Sequence, residues 1–250
     1  MKEISPAEIV RKASGNFLAL LEFVLGLYIC PENNGQIKGP LVAYAGRDDQ
    51  GRQLLGKIYA NFAKIEENSP MIWYVAEQIS QLLAAYNIHG GTFCGAPIGG
   101  YRLADTLGDV TKWRVIKAEK KVTAIATAVS REVTRLVMSR YDISPGEEII
   151  LVEDICNNFS TTDKMIELIE KAGGKVVAIV CYLNRSTKYR YYYPKYNGRE
   201  IIPIIALVQQ PMEEFDQDNS VAIQAIKENN VVWEPKKEWP RLLAASAAVA

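Results

Sequence analysis

Ile149-Ile150-Leu151-Val152-Glu153-Asp154-Ile155-Cys156-Asn157-Asn158-Phe159-Ser160-Thr161-Thr162 is the stretch from which the fold is read. Its apolar start predicts a buried strand, which runs directly into two adjacent carboxylates, a short polar loop and a helix. In open α/β sheets, ligands sit outside the carboxyl ends of strands. Neighbouring carboxylates there can accept hydrogen bonds from vicinal hydroxyls, and the amides opening the next helix suit a phosphate. Ser160 and Asp163 have capping-box spacing, which predicts a helix start at that point. Taken alone, the segment also fits an ordinary strand-to-helix turn with an acidic lead-in.

Downstream, Met165, Ile166, Leu168, Ile169 and Ala172 share one helical face that ends at Gly173-Gly174. Residues 175–183 predict the next strand, 186–197 a surface loop and 201–208 a late strand. Upstream, 51–65 and 71–86 read as amphipathic helices, the second after the break at Ser69-Pro70. Thr92-Phe93-Cys94 reads as a short strand entering the glycine-rich Gly95-Ala96-Pro97-Ile98-Gly99-Gly100. A helix over 100–107, a strand over 113–116, a polar stretch over 117–121 and a strand over 131–140 follow. Strands alternating with helices from about residue 50 predict an α/β chain with a parallel sheet. The alanine-rich 243–250 reads as a frayed end.

Composition removes several function classes. Lys plus Arg and Asp plus Glu both total 29 in 250 residues, so no global field favours nucleic acid or an acidic membrane surface. The N-terminus shows no continuous apolar signal, and the apolar stretch from Phe17 to Cys30 contains Glu22 and is short for a bilayer. Four cysteines lack paired spacing, so neither a disulfide framework nor a zinc site is indicated, and a reducing cytoplasm is the expected setting. His89 is the one histidine, which rules out a histidine-rich metal site within one chain. No early strand carries the dinucleotide fingerprint G-x-G-x-x-G.

The acidic strand end resembles the phosphoribosyl pyrophosphate (PRPP) signature of type I phosphoribosyltransferases. Three other segments resemble the orotate branch of that family. Cys94 to Ala104 is similar to its pyrophosphate loop, Val115-Ile116-Lys117-Ala118-Glu119-Lys120-Lys121 to the start of its mobile catalytic loop, and Cys181-Tyr182-Leu183-Asn184-Arg185 to the strand end bearing its orotate-contacting arginine. The four lie in the family's order over about residues 90–186.

The resemblance implies a type I phosphoribosyltransferase fold, a central parallel sheet flanked by helices with an N-terminal hood. It implies one domain, with hood 1–48, core 49–208 and C-terminal extension 209–250. It also implies transfer of phosphoribose from PRPP to orotate, in a homodimer with shared active sites. Lys121, Glu153 and Asp154 are the expected catalytic residues. PRPP is expected to meet Glu153, Asp154, Asn157, Asn158, Phe159, Ser160, Thr161, Lys117, Lys120, Lys121, Ala96, Pro97, Ile98 and Gly99. Lys38 and Arg185 are expected at the base, with Tyr44 near Lys38. Mg²⁺ is expected to ride on substrate oxygens, with no cage of protein ligands.

The chain departs from the pattern in several places. Asn157, Asn158 and Phe159 stand where the family has threonines and a glycine, Thr123 stands where it has a histidine, and Ala118, Ile98 and Gly99 replace lysine, tyrosine and a frequent lysine. Transfer to a different base, or a non-catalytic PRPP-binding regulator of the same fold, are the alternative expectations.

Overall fold

In the computed structural model, the described residues are 16–124, 133–192 and 201–247. The chain divides into two compact units, Met1–Glu67 with Pro211–Ala250, and Asn68–Gln210.

The first unit opens with helix α1 (Leu18–Phe23) and strands β1 (Leu27–Ile29), β2 (Glu32–Asn33), β3 (Gln36–Ile37), β4 (Leu41–Arg47), β5 (Gln53–Gly56) and β6 (Ile58–Ala60), then the short α2 (Ala63–Glu66). The helix expected over 51–65 is therefore replaced by the short strands β5 and β6, with helix only from Ala63. Asp48 is the physical reason. Its carboxylate accepts the backbone N–H of Gln50 at 3.0 Å and of Arg52 at 2.8 Å, and Arg52 Nε at 2.7 Å. That turn folds β5 back antiparallel to β4, and side chain-to-backbone bonds of this kind outcompete helical periodicity.

The second unit carries α3 (Ser69–Ala85), β7 (Thr92–Gly95), α4 (Gly100–Thr111), β8 (Arg114–Lys117), β9 (Glu119–Ala124), β10 (Val133–Val137), β11 (Glu148–Cys156), α5 (Ser160–Lys171), β12 (Lys175–Asn184), β13 (Arg190–Tyr192) and β14 (Ile201–Gln209). Asn68 caps α3 by accepting Met71 N–H at 3.3 Å, and Pro70 sits in its first turn, where its missing N–H is harmless. Six strands form one sheet in the order β13-β14-β12-β11-β7-β8, parallel except for β13.

Strand pleating splits β11 between the two faces of the sheet. Ile149 and Leu151 join Met165, Ile166 and Ile169 of α5 in one core, while α3 and α4 pack on the sheet through other contacts. Cover on both faces explains why β11 reads as a continuous apolar run instead of an alternating one.

The chain then returns to the first unit with α6 (Ser220–Lys227), β15 (Val231–Val232) and α7 (Trp239–Ala247). β15 pairs parallel with β4, and Leu55 and Phe215 exchange backbone hydrogen bonds. The frayed end expected over 243–250 is helical as far as Ala247, because Trp239 and Leu242 are buried and Trp239 Nε1 donates to Leu25 O at 3.1 Å. Residues 248–250 lie outside the described set. No helix among the described residues is long and apolar enough to cross a membrane.

Candidate functional site

The acid pair lies at the carboxyl end of β11, the strand between β7 and β12. Register fixes its surroundings. Val152 pairs with Gly95 on one side, and Glu153 pairs with Cys181 on the other. The glycine-rich loop leaving β7 thus opens beside the acids leaving β11. Ala96 N–H donates to Val152 O at 2.9 Å, tying the two ends together.

Glycine is required at this crossing. A Cβ on Gly99 would stand 2.4 Å from Asp154 Cγ, and one on Gly100 would stand 2.0 Å from Val152 O. Backbone therefore packs directly on the Asp154 carboxylate and on the strand beneath it. Ala96 is buried, whereas Ile98 is 75% exposed at the loop tip; the Pro97–Ile98 peptide is cis.

Glu153 is pushed up to about 8, first by burial and then by the neighbouring Asp154 charge, with Lys120 opposing the rise. Burial therefore favours the protonated form of Glu153 toward neutral pH. A protonated and an ionised carboxyl side by side present one donor and several acceptors, a set that matches two adjacent hydroxyls.

The loop after β11 departs from the expected capping box. Phe159, in place of Ser160, is the residue before the helix, at φ 60°, and no side chain caps it. Asn158 Oδ1 instead accepts Ser160 N–H at 3.2 Å, so one amide of the helix start is already engaged. Phe159 is buried, with its ring 5.1 Å from that of Tyr191. Tyr191 OH in turn donates to the Asp163 carboxylate, which explains why Asp163 does not reach back to form a capping box.

The lysines separate into two kinds. Lys117 Nζ pairs with Asp105 of α4 at 2.7 Å and lies over the Tyr101 ring. Lys120 and Lys121 are exposed on β9, which pairs antiparallel with β10, so the polar stretch expected over 117–121 is a strand for most of its length. Of the strand expected over 131–140, residues 131 and 132 lie outside the described set.

Arg185 is buried, and its N–H donates to Cys156 O at 2.9 Å, joining the ends of β12 and β11. Asn184 is fully buried; its Nδ2 donates to Lys188 O, and its Oδ1 accepts the Ser186 N–H and hydroxyl. Part of the loop expected over 186–197 is strand β13, which pairs antiparallel with β14. Residues 193–200 lie outside the described set.

Lys38 belongs to the first unit, where it is exposed and donates to Gln36 Oε1 at 3.1 Å. Tyr44 is a core residue there, packed on Gly56 with its hydroxyl donating to Ile58 O, so its ring has no open face for a base.

Sequence reasoning passed over Asp105, Tyr101, Asn184 and Tyr191. Asp105, Tyr101 and Tyr191 act through contacts with residues distant in the chain, which no local pattern announces, whereas Asn184 acts on its own turn through Ser186 and Lys188.

No family model matches this chain. It is 32% identical over 131 residues to an orotate phosphoribosyltransferase of Sulfurovum sp. (strain NBC37-1), a match covering 51% of this chain and 58% of that relative. It is 26% identical over 140 residues to an adenine phosphoribosyltransferase of Petrotoga mobilis, covering 52% of this chain and 80% of the relative. The crystal structure of orotate phosphoribosyltransferase from Aeropyrum pernix superimposes with a TM-score of 0.53 at 11% identity, covering 76% of this chain and 92% of that one. The fold is that of the type I phosphoribosyltransferases. Within it, the paired β7 and β11 ends are where the acid pair and the glycine-rich loop meet.

Proposed function

We propose that this chain is a phosphoribosyltransferase that takes PRPP as donor and orotate as acceptor, releasing orotidine monophosphate and pyrophosphate. The carrying observation is the seating of the Asp154 carboxylate against Gly99. It brings an acceptor for ribose hydroxyls and a backbone loop for pyrophosphate to one place. Orotate is favoured over adenine by the higher identity of the orotate relative.

In this reading, Asp154 accepts from one ribose hydroxyl while protonated Glu153 donates to the other, fixing the ring. The bond from C1 to the pyrophosphate oxygen breaks with its electron pair leaving on pyrophosphate, and a ring nitrogen of the base forms the new bond to C1, its proton passing to solvent. Lys120 and Lys121 supply positive charge where the leaving group gathers negative charge, an effect largest in the transition state. Mg²⁺ would be held by substrate oxygens and water, with no cage of protein ligands. When bound, that ion screens pyrophosphate charge. A homodimer in which β9 serves a neighbouring site, in a reducing cytoplasm, completes the proposal; the four cysteines are buried free thiols.

The test is PRPP consumption by purified protein against a panel of bases including orotate and adenine, with Asp154→Asn as control. Orotate-dependent pyrophosphate release is expected. PRPP affinity should fall in Asp154→Asn by about 1.5–3 kcal/mol, the worth of a charge-assisted bond. Turnover with adenine alone would reassign the base. PRPP binding without turnover of any base would favour the regulator, the reading that Asn158 and Phe159 in the phosphate loop support.

A further inference from the structure

The phosphate end of the proposed site faces an unusual feature, the β13 hairpin. Phe159 occupies the αL position before α5, and its ring lies beside Tyr191. Lys188 Nζ lies 5.4 Å from the Phe159 ring centre and 5.9 Å from that of Tyr191. The two rings hold the ammonium through cation–π attraction.

The Asp163 carboxylate accepts the Tyr191 hydroxyl and forms no ion pair with Lys188. Among the described residues, no ion pair involves Lys188 or Arg190. Both line one cleft of about 560 Å³ together with Tyr189, Tyr191 and Tyr192. Two exposed cations line this cleft, and no carboxylate is among its described lining residues, so it suits an anion. Next to it, Asn158 has used up the Ser160 amide, weakening the backbone cradle a phosphate would otherwise find.

We propose that Lys188, held on the Phe159–Tyr191 rings, binds the terminal phosphate of the phosphoribosyl substrate and so replaces donors that the Asn157-Asn158-Phe159 loop no longer offers. The assignment rests on the PRPP reading for the identity of the substrate. Its chemistry, a phosphomonoester on a ribose, stands independently. Phe159 then acts as a support for a cation supplied from a different strand. Tyr191 serves as the second ring. Lys188 acts in binding, so it should affect substrate affinity and leave turnover at saturation largely alone.

Calorimetry with ribose 5-phosphate and inorganic phosphate tests this on wild type, Lys188→Met, Lys188→Arg and the control Lys236→Met, an exposed lysine of the first unit. Loss of one charge-assisted contact should weaken ribose 5-phosphate binding in Lys188→Met roughly tenfold or more. Lys188→Arg should recover most of the affinity, Lys236→Met should match wild type, and the salt dependence of binding should flatten in Lys188→Met only. In steady-state assays KM for PRPP should rise in Lys188→Met at nearly constant kcat.

Ribose 5-phosphate affinity unchanged in Lys188→Met, in a protein that consumes PRPP, would overturn the Lys188 assignment and leave the enzyme reading standing. A Lys188-dependent ribose 5-phosphate complex in a protein that never turns PRPP over would support Lys188 and remove the enzyme reading. No binding of ribose 5-phosphate to the folded wild type would overturn the assignment outright.

Discussion

Adding one methyl group at Gly99 or at Gly100 should give opposite results. Both lie where the glycine-rich loop crosses β11, and both have ordinary helical surroundings; Gly99 itself sits at φ −60°. Alanine at 99 is therefore conformationally acceptable, and its Cβ meets the Asp154 carboxyl at 2.4–2.5 Å. That group is the end of a side chain and can rotate, so Gly99→Ala should fold with a stability change within about 1 kcal/mol. Asp154 can no longer occupy its place, however. If it accepts a ribose hydroxyl, about 1.5–3 kcal/mol of PRPP binding goes with it, roughly ten- to hundredfold in Kd.

Alanine at 100 meets the Val152 carbonyl oxygen at 2.0 Å and its carbon at 2.9 Å. That carbonyl is fixed in the central strand and already accepts Ala96 N–H at 2.9 Å. Relief requires backbone movement, which should cost about 3 kcal/mol or more, on the order of 10 °C in Tm. Thermal melts and PRPP calorimetry on the two variants separate the effects. Wild-type PRPP affinity in Gly99→Ala would refute the role given to Asp154, and wild-type Tm in Gly100→Ala would refute the close approach itself.

Glu153 should leave a pH signature in stability. Its folded value near 8 lies above the ordinary 4.5, so the folded chain keeps a proton that the unfolded chain releases between those values. The contribution is complete below about 4.5, declines as pH rises and is lost above about 8. Tm measured from pH 5 to 8.5 should fall less steeply in Glu153→Gln than in wild type, and parallel curves would contradict the burial of this carboxyl. Phe159→Gly relieves an αL side chain, worth about 1–2 kcal/mol, but removes a buried ring worth about 3–5 kcal/mol. The variant should therefore be less stable by about 1–4 kcal/mol in urea melts, and a stabilised variant would show that the ring packing matters little. Lys121→Ala should lower kcat far more than PRPP affinity. Mixing its subunits with Asp154→Asn subunits should regain activity if β9 serves a neighbour, and mixtures as inactive as their components would exclude shared sites.

The sequence by itself was enough for the β11 strand, the acids at its end, the helix that follows and the glycine-rich loop before α4. These are local signals: an apolar run, turn glycines and a 3.6-residue period depend on neighbours in the chain. Local signals also misled. Residues 51–65 carry a helical pattern, yet Asp48 folds them into a hairpin paired with β4. Ser160 and Asp163 have capping-box spacing, but Tyr191, 28 residues beyond Asp163, takes that carboxylate. Lys117 looked like its neighbours Lys120 and Lys121 until Asp105 of α4 claimed its charge. Tertiary structure alone decided that Gly99 lies against Asp154, and that Lys188 lies over Phe159. The physical reason is the same in each case. A side chain's charge and free hydrogen-bonding capacity depend on which distant groups the fold brings within a few ångströms, and sequence spacing does not encode that distance.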